Sequence, residues 1–168
     1  HIAVRTLEEP TSVFQCLPYV EVTQDSRGCL EVSSDLLQVD HFVTNDAIEL
    51  LENRRFRLIG RIDEVINSGG IKIHPRQIER KLSQVLSAHY FIGGVADDTL
   101  GEKVILAVKH SSSLQLDKLV EKIKKCETLA SYEIPKSIIV FPDFVETDSG
   151  KIRRKQTLLL DSVSVLDL

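Results

Sequence analysis

The chain has 168 residues, 42% of them hydrophobic, and a formal net charge of −4. That is length for one ordinary domain or one and a half small ones, with enough apolar content for a core and too much for disorder. The acidic balance disfavours generic nucleic-acid binding, and no apolar run reaches the roughly 20 residues of a membrane helix.

Cys16, Cys29 and Cys126 are odd in number and form no CxxC, so reduced thiols are expected, not a disulfide framework or zinc knuckle. The histidines are scattered, without the close spacing of a local metal site. No basic segment followed by an apolar one opens the chain, so no secretion signal is expected and the cytoplasm is the expected compartment. The chain starts at His1 and contains no methionine, which suggests a piece of a longer protein.

Residues 1–61 read as short strands. Ile2-Ala3-Val4 is one, and Val20-Glu21-Val22-Thr23 alternates with the period of a half-buried strand. Asp25-Ser26-Arg27-Gly28 is a turn signal, and Cys29 to Val32 is its partner strand. Phe42-Val43-Thr44 and Ile48 to Leu51 follow, with Asp46 just after a strand end. Glu52-Asn53-Arg54 reads as the hairpin turn before Phe56 to Ile59. Then the pattern changes. Ile78, Leu82, Val85 and Leu86 mark one face of a helix. Tyr90 to Val95 reads as a strand, 97–101 as a loop, and Val104 to Val108 as a strand buried on both faces. Leu116, Leu119, Val120 and Ile123 make a second helix, with Glu121 and Lys125 at i, i+4. Ser137 to Phe141 is a third strand, and Arg153 to Leu160 begins a last helix. The fold class is α+β: a small antiparallel β unit followed by a compact α+β domain.

Between the two regions lies Gly60-Arg61-Ile62-Asp63-Glu64-Val65-Ile66-Asn67-Ser68-Gly69-Gly70-Ile71-Lys72-Ile73-His74-Pro75. The paired glycines allow φ > 0 and close backbone approach, and Pro75 suits a first helical turn. Read from residue types alone, each polar group here has a plain explanation. Asp46 is a turn aspartate capping its own backbone. Arg61 makes a surface salt bridge to Asp63 or Glu64. Gly69-Gly70 is a tight turn before a helix. Lys151 belongs to a solvated basic run with Arg153, Arg154 and Lys155. Lys72 and His74 are structural.

Three motifs together carry a different message. The stretch just quoted resembles the joint between the two domains of acyl-adenylate-forming ligases. Thr147-Asp148-Ser149-Gly150-Lys151-Ile152-Arg153-Arg154 is similar to that family's C-terminal lysine loop. Thr44-Asn45-Asp46 is similar to its Thr-Gly-Asp ribose motif, with Asn45 in place of glycine. Singly each is a weak signal; in this order they are a strong one. Val43 to Asp46, the Glu49-to-Arg55 hairpin and Ile66 to Gly70 look most like the branch that activates o-succinylbenzoate in menaquinone synthesis.

The resemblance implies the following. Residues 1–62 are the β-rich end of an N-terminal AMP-binding domain, and 63–168 are a mobile C-terminal domain. Lys151 is catalytic, Asp46 and Arg61 bind the nucleotide, and Asp63 is the hinge. Ser68, Gly69 and Gly70 line the coenzyme A tunnel. The co-substrates are a small carboxylic acid, ATP with Mg2+, and coenzyme A, bound mainly by an N-terminal portion absent from this chain. The phosphate loop and the Tyr-Gly-x-Thr-Glu element are also absent, and His1 looks like the residue just after the latter, so this chain alone is expected to be inactive. Other aryl or fatty acids, a carrier-protein acceptor, and a non-catalytic binding module stay open as alternatives.

Overall fold

A computed structural model describes residues 1–5 and 13–168. The chain forms two compact units, His1–Glu64 and Val65–Leu168.

The first unit is one antiparallel sheet. Its strands are β1 (Ala3–Val4), β2 (Val13–Cys16), β3 (Glu21–Gln24), β4 (Cys29–Ser34), β5 (Val39–Leu51) and β6 (Arg55–Arg61), in the spatial order β1-β2-β6-β5-β4-β3. Cys16, Val20, Leu30, Val32, Ile48 and Phe56 make its core, and Phe14 stacks on Phe56 with ring centroids 5.4 Å apart. The turn between β5 and β6 places Asn53 and Arg54 at φ 60° and 58°. That left-handed conformation costs a side-chain-bearing residue of order 1–2 kcal/mol. Arg54 offsets it by donating from Nη2 to the carbonyls of Leu17, Pro18 and Val20, at 3.0, 2.8 and 2.8 Å.

The second unit holds β7 (Ile66–Ser68), β8 (Ile71–Ile73), α1 (Pro75–Leu82), β9 (Tyr90–Asp97), β10 (Gly101–Lys109), α2 (Leu116–Lys124), β11 (Ser137–Phe141), α3 (Arg154–Thr157) and β12 (Ser164–Asp167). β10 is central: antiparallel to β9, parallel to β11, and joined to β7 at Gly101 and Ser68. Its strand period divides two cores. Val104, Leu106 and Val108 face a large core with Ile78 and Leu82 of α1 and Leu119 and Ile123 of α2. Ile105 and Ala107 face a smaller one with Phe91, Phe141 and Phe144, against which Ile152 and Leu158 pack. Val104 to Val108 are all at most 2% exposed, as a strand covered on both faces requires. The fold is α+β, as its residues indicate. Among the described residues no helix is long and apolar enough to cross a membrane.

Four local expectations are corrected. Asp46 does not follow a strand end; it lies inside the 13-residue β5, which continues through the motif. Helix α1 stops at Leu82, where Ser83 Oγ donates to the Arg80 carbonyl at 2.8 Å; Val85 and Leu86 reach the core from the turn beyond. The last helix covers only Arg154–Thr157, after which the chain bends away. Strands β2 and β12 are additions; β12 is solvent-exposed along its length, so nothing in its burial pattern announces it.

Tyr90 ties β9 to α1, its hydroxyl donating to the Glu79 carbonyl at 3.1 Å. Burial, with the nearby Glu79 charge, pushes its pKa up to about 12. The folded chain therefore holds this proton to higher pH than the unfolded chain. The resulting stability is constant below the ordinary tyrosine value of about 10 and falls as the pH rises from there. Urea unfolding of Tyr90→Phe is expected to lose less stability than the parent between about pH 10 and 12. Parallel pH profiles would contradict this.

Candidate functional site

The ribose-motif residues sit on a bulge. From Cys29 to Glu31 on β4, the partner on β5 changes from Ala47 to Val43, so β5 carries extra residues at Thr44-Asn45-Asp46. Bulges re-aim side chains and sharpen local twist. Thr44 Oγ1 accepts from the Asp46 N–H at 3.0 Å, which folds the motif on itself. Arg27, in the turn before β4, braces it. Its Nη2 donates to the Thr44 carbonyl at 3.3 Å and its Nη1 to Asn45 Oδ1 at 3.5 Å. Arg27 is fixed in turn by Asp25, whose Oδ2 accepts from Nε at 2.8 Å. The Cys29 backbone N–H, followed by the Arg27 guanidinium, holds the Asp25 carboxyl below its usual range. Burial pushes the neighbouring Cys29 thiol up, away from the reactive thiolate. Arg27 was not foreseen; the Asp25-Ser26-Arg27-Gly28 turn signal marks its loop but not its reach across two strands.

Asp46 pairs across the ladder with Arg61. Asp46, Arg61 and Asp63 form one ionic cluster. Arg61 donates from Nε and Nη2 to the two carboxylate oxygens of Asp63 at 2.9 and 2.8 Å, and Nη1 lies 3.7 Å from Asp46 Oδ1. This bidentate pair raises the Arg61 pKa further. All three side chains are about 36 to 45% exposed, so the cluster faces solvent and can exchange partners. Asp63 stands in a 3-10 turn over Ile62–Glu64.

In the second unit, Ser68-Gly69-Gly70-Ile71 is a two-residue hairpin: Ser68 pairs with Ile71, and the glycines take φ 58° and 82°. Two successive positive φ values are the type I′ geometry that suits a tight hairpin. The sequence pattern placed a loop here, not the two short strands β7 and β8. The Gly69 N–H donates to the Leu100 carbonyl at 2.8 Å, and the Asn67 N–H to Glu102 Oε2 at 2.8 Å. A Cβ on Gly69 would touch Leu100 at 3.4 Å, whereas one on Gly70 would meet nothing within 4 Å. Gly70 thus answers a backbone demand and leaves open space beside it.

The lysine loop is a closed turn. Thr147 and Lys151 bond through the backbone, Thr147 N–H to the Lys151 carbonyl at 2.9 Å, and the Gly150 N–H donates to the Thr147 carbonyl at 2.8 Å. Gly150 has φ 74°. Thr147 Oγ1 accepts from the Lys151 N–H at 3.0 Å. Glu146 and Ile152 bridge at the base. Below, the buried Thr157 accepts from the Val145 N–H at 3.0 Å and donates to the Arg153 carbonyl at 3.2 Å. Ile152 packs against the smaller core while Lys151 is exposed. The basic run is therefore divided. Arg154 grips Glu79 with both Nη atoms, at 2.5 and 3.0 Å, while the backbone holds Lys151 out into solvent.

No family model matches the chain. Among curated proteins it is 32% identical over 143 residues to the probable CoA ligase CCL9 of Humulus lupulus, covering 83% of this chain and 27% of that protein. It spans less than a third of the length of the curated relatives it matches. Among solved structures it resembles an acyl-CoA synthetase (AMP-forming)/AMP-acid ligase II-like protein from Dyadobacter fermentans. That match has 29% identity and a TM-score of 0.53, over 94% of this chain and 47% of that one. The o-succinylbenzoate CoA synthetase of Bacillus subtilis, solved with its acyl-adenylate intermediate, shares the fold at TM-score 0.72 and 19% identity, over 88% of this chain and 35% of that one. These sequence relatives and structural neighbours are thus CoA ligases and acyl-CoA synthetases, and the chain has the fold of a part of them.

Proposed function

We propose that this chain is the C-terminal part of an AMP-forming acid–CoA ligase, with o-succinylbenzoate as its acid. Residues 1–62 end the N-terminal AMP-binding domain, and 63–168 form the mobile domain. The reaction has two halves. A carboxylate oxygen attacks the α-phosphorus of ATP and pyrophosphate leaves. The thiol sulfur of coenzyme A then attacks the acyl carbon, AMP leaves with the C–O electron pair, and the thiol proton passes to solvent. Mg2+ arrives with the ATP phosphates. Among the described residues no group of three or more His, Cys, Asp or Glu is arranged to hold a metal.

The observation that carries this reading is the lysine loop. A backbone-closed turn with Gly150 at positive φ holds the exposed Lys151 side chain above a packed base. Lys151 supplies positive charge to the attacking carboxylate and the α-phosphate in the adenylation half. Asp46 accepts from the ribose hydroxyls, and Arg61 donates to ribose or phosphate through its fork. Arg61 is spent on Asp63 here, yet an exposed pair is worth about 0–1 kcal/mol, so a bound nucleotide can compete for it. The same weak pair leaves Asp63 able to turn as the hinge. The Ser68-Gly69-Gly70 hairpin lines the thiol path in the second half, and the open space beside Gly70 leaves room for the arm.

The test is o-succinylbenzoate-dependent pyrophosphate release by this chain mixed with the upstream portion of the ligase. Release is expected only when both pieces are present. Release by this chain alone would refute its dependence on the upstream portion. Silence with both pieces folded and associated would exclude this acid and move the search to other acids.

A further inference from the structure

We infer that the second unit carries an anion site of its own, taking a small phosphate-bearing molecule, in a basin between the end of β10, the segment before β9 and the first turns of α2. The basin holds about 420 Å³, within the size range of small-molecule sites. His89, Lys109, His110, Gln115, Lys118 and Lys122 line it, with three serines and no Asp or Glu among its lining residues. In a chain of net charge −4, a concave surface lined by three lysines and no carboxylate concentrates positive charge.

The cations divide by what they already do. Lys109 Nζ is 2.7 Å from Asp143 Oδ1, so its charge is partly met. Lys118 and Lys122 lie one turn apart on α2 and are exposed. Neither has an ion pair among those found for the described residues. Gln115, the N-cap of α2, lines the basin and makes no side-chain capping bond, so the start of the helix adjoins the basin with Asp117 in its first turn. The hydroxyls of Ser111 and Ser113 sit 3.2 Å apart on the rim and can donate as well. Lysine point charges and hydroxyls lining one concavity suit phosphate oxygens.

The place differs from the glycine hairpin of the proposed ligase chemistry, while the segment that leads into the lysine loop borders it: Asp143 pairs with Lys109, and the Phe144 ring lies 5.1 Å from that of His89. The glycine hairpin adjoins Gly101 at one end of β10. His89 and Lys109 stand at the other, with Lys109 eight residues from Gly101, on the order of 27 Å at the rise of a strand. The inference does not depend on the ligase reading, since binding is measured on this chain without turnover.

The experiment is an NMR titration of the chain with inorganic phosphate, with pyrophosphate and with ribose 5-phosphate, at fixed ionic strength. Saturable shifts are expected at His89, His110 and Gln115 to Lys122. The double variant Lys118→Ala/Lys122→Ala is expected to weaken binding about tenfold or more, while the double Lys→Arg variant retains it. A tighter fit for the sugar phosphate assigns a phosphate ester as ligand; equal or tighter binding of the inorganic anions assigns the free anion. Shifts that do not saturate, shifts spread evenly over every lysine of the chain, or an unaltered affinity in a folded Ala/Ala variant would each overturn the site.

Discussion

Lys151→Ala is expected to slow pyrophosphate release by the reconstituted ligase about 100- to 1000-fold, the usual cost of removing one preorganised charge-stabilising donor. It is expected to leave the stability of the isolated chain unchanged. The two expectations separate because of how the loop is made. The bonds that close it use the backbone of Lys151, the hydroxyl of Thr147, the N–H of Gly150 and, at the base, the Arg153 N–H donated to the Val145 carbonyl at 2.7 Å. Truncating the Lys151 side chain removes none of these, and it is exposed. Urea unfolding of the variant checks the second expectation and pyrophosphate release in one turnover checks the first. Thioester formation from preformed acyl-adenylate is expected to be nearly unaffected, because the lysine is assigned to the adenylation half. Undiminished pyrophosphate release would remove Lys151 from the chemistry and return it to the solvated basic run.

Much of the fold was legible because burial follows period. Val104 to Val108 read as a strand covered on both faces, and its alternate residues enter two cores. The turns at 25–28 and 52–54 announced themselves by residue type, and strands flank both. What stayed hidden had one of two causes. Strand β12 is exposed throughout, so the alternation Ser162-Val163-Ser164-Val165 in its sequence corresponds to no buried face. The course of β5 through Thr44-Asn45-Asp46 depends on a bulge set by its register with β4, a relation between strands and not a property of either. The site divides in the same way. Asp46, Arg61 and Lys151 were legible as candidates. Arg27, which braces the ribose motif from 17 residues away, was not, because local spacing cannot report what a sheet brings together. Asn45 is the informative case. It departs from the glycine of the resembling pattern, and its amide oxygen accepts from Arg27. A side chain thus stands where the commoner motif has none, and it has a partner.

Arg154 supports the second large prediction. Sequence pattern put it in a solvated basic run, yet it is the most buried cation there, its side chain 16% exposed beside a Glu79 at 21%. It donates to both oxygens of Glu79 and to the Ile92 carbonyl at 3.0 Å, and lies 5.7 Å from the centre of the Phe91 ring. Glu79 also accepts from the Ile92 N–H at 2.8 Å. One guanidinium thus joins α3 to α1 and β9 across 75 residues of sequence. Removing one member of a buried pair strands the other charge and costs 3–5 kcal/mol when burial is complete. Partial exposure here reduces that to about 2–3 kcal/mol for Arg154→Ala. Glu79→Gln keeps an acceptor for Arg154 and is expected to cost less, because no unpaired carboxylate is left behind. The double variant Arg154→Ala/Glu79→Gln is expected to recover part of the single loss, since the stranded charge is then gone. Urea unfolding of the three variants gives the coupling energy directly. The same change also loosens α3, whose Thr157 holds the base of the lysine loop, so Arg154→Ala is expected to lower pyrophosphate release as well as stability. Additive losses in the cycle would mean that the pair does not act as a unit and that the loop takes its position from the smaller core alone.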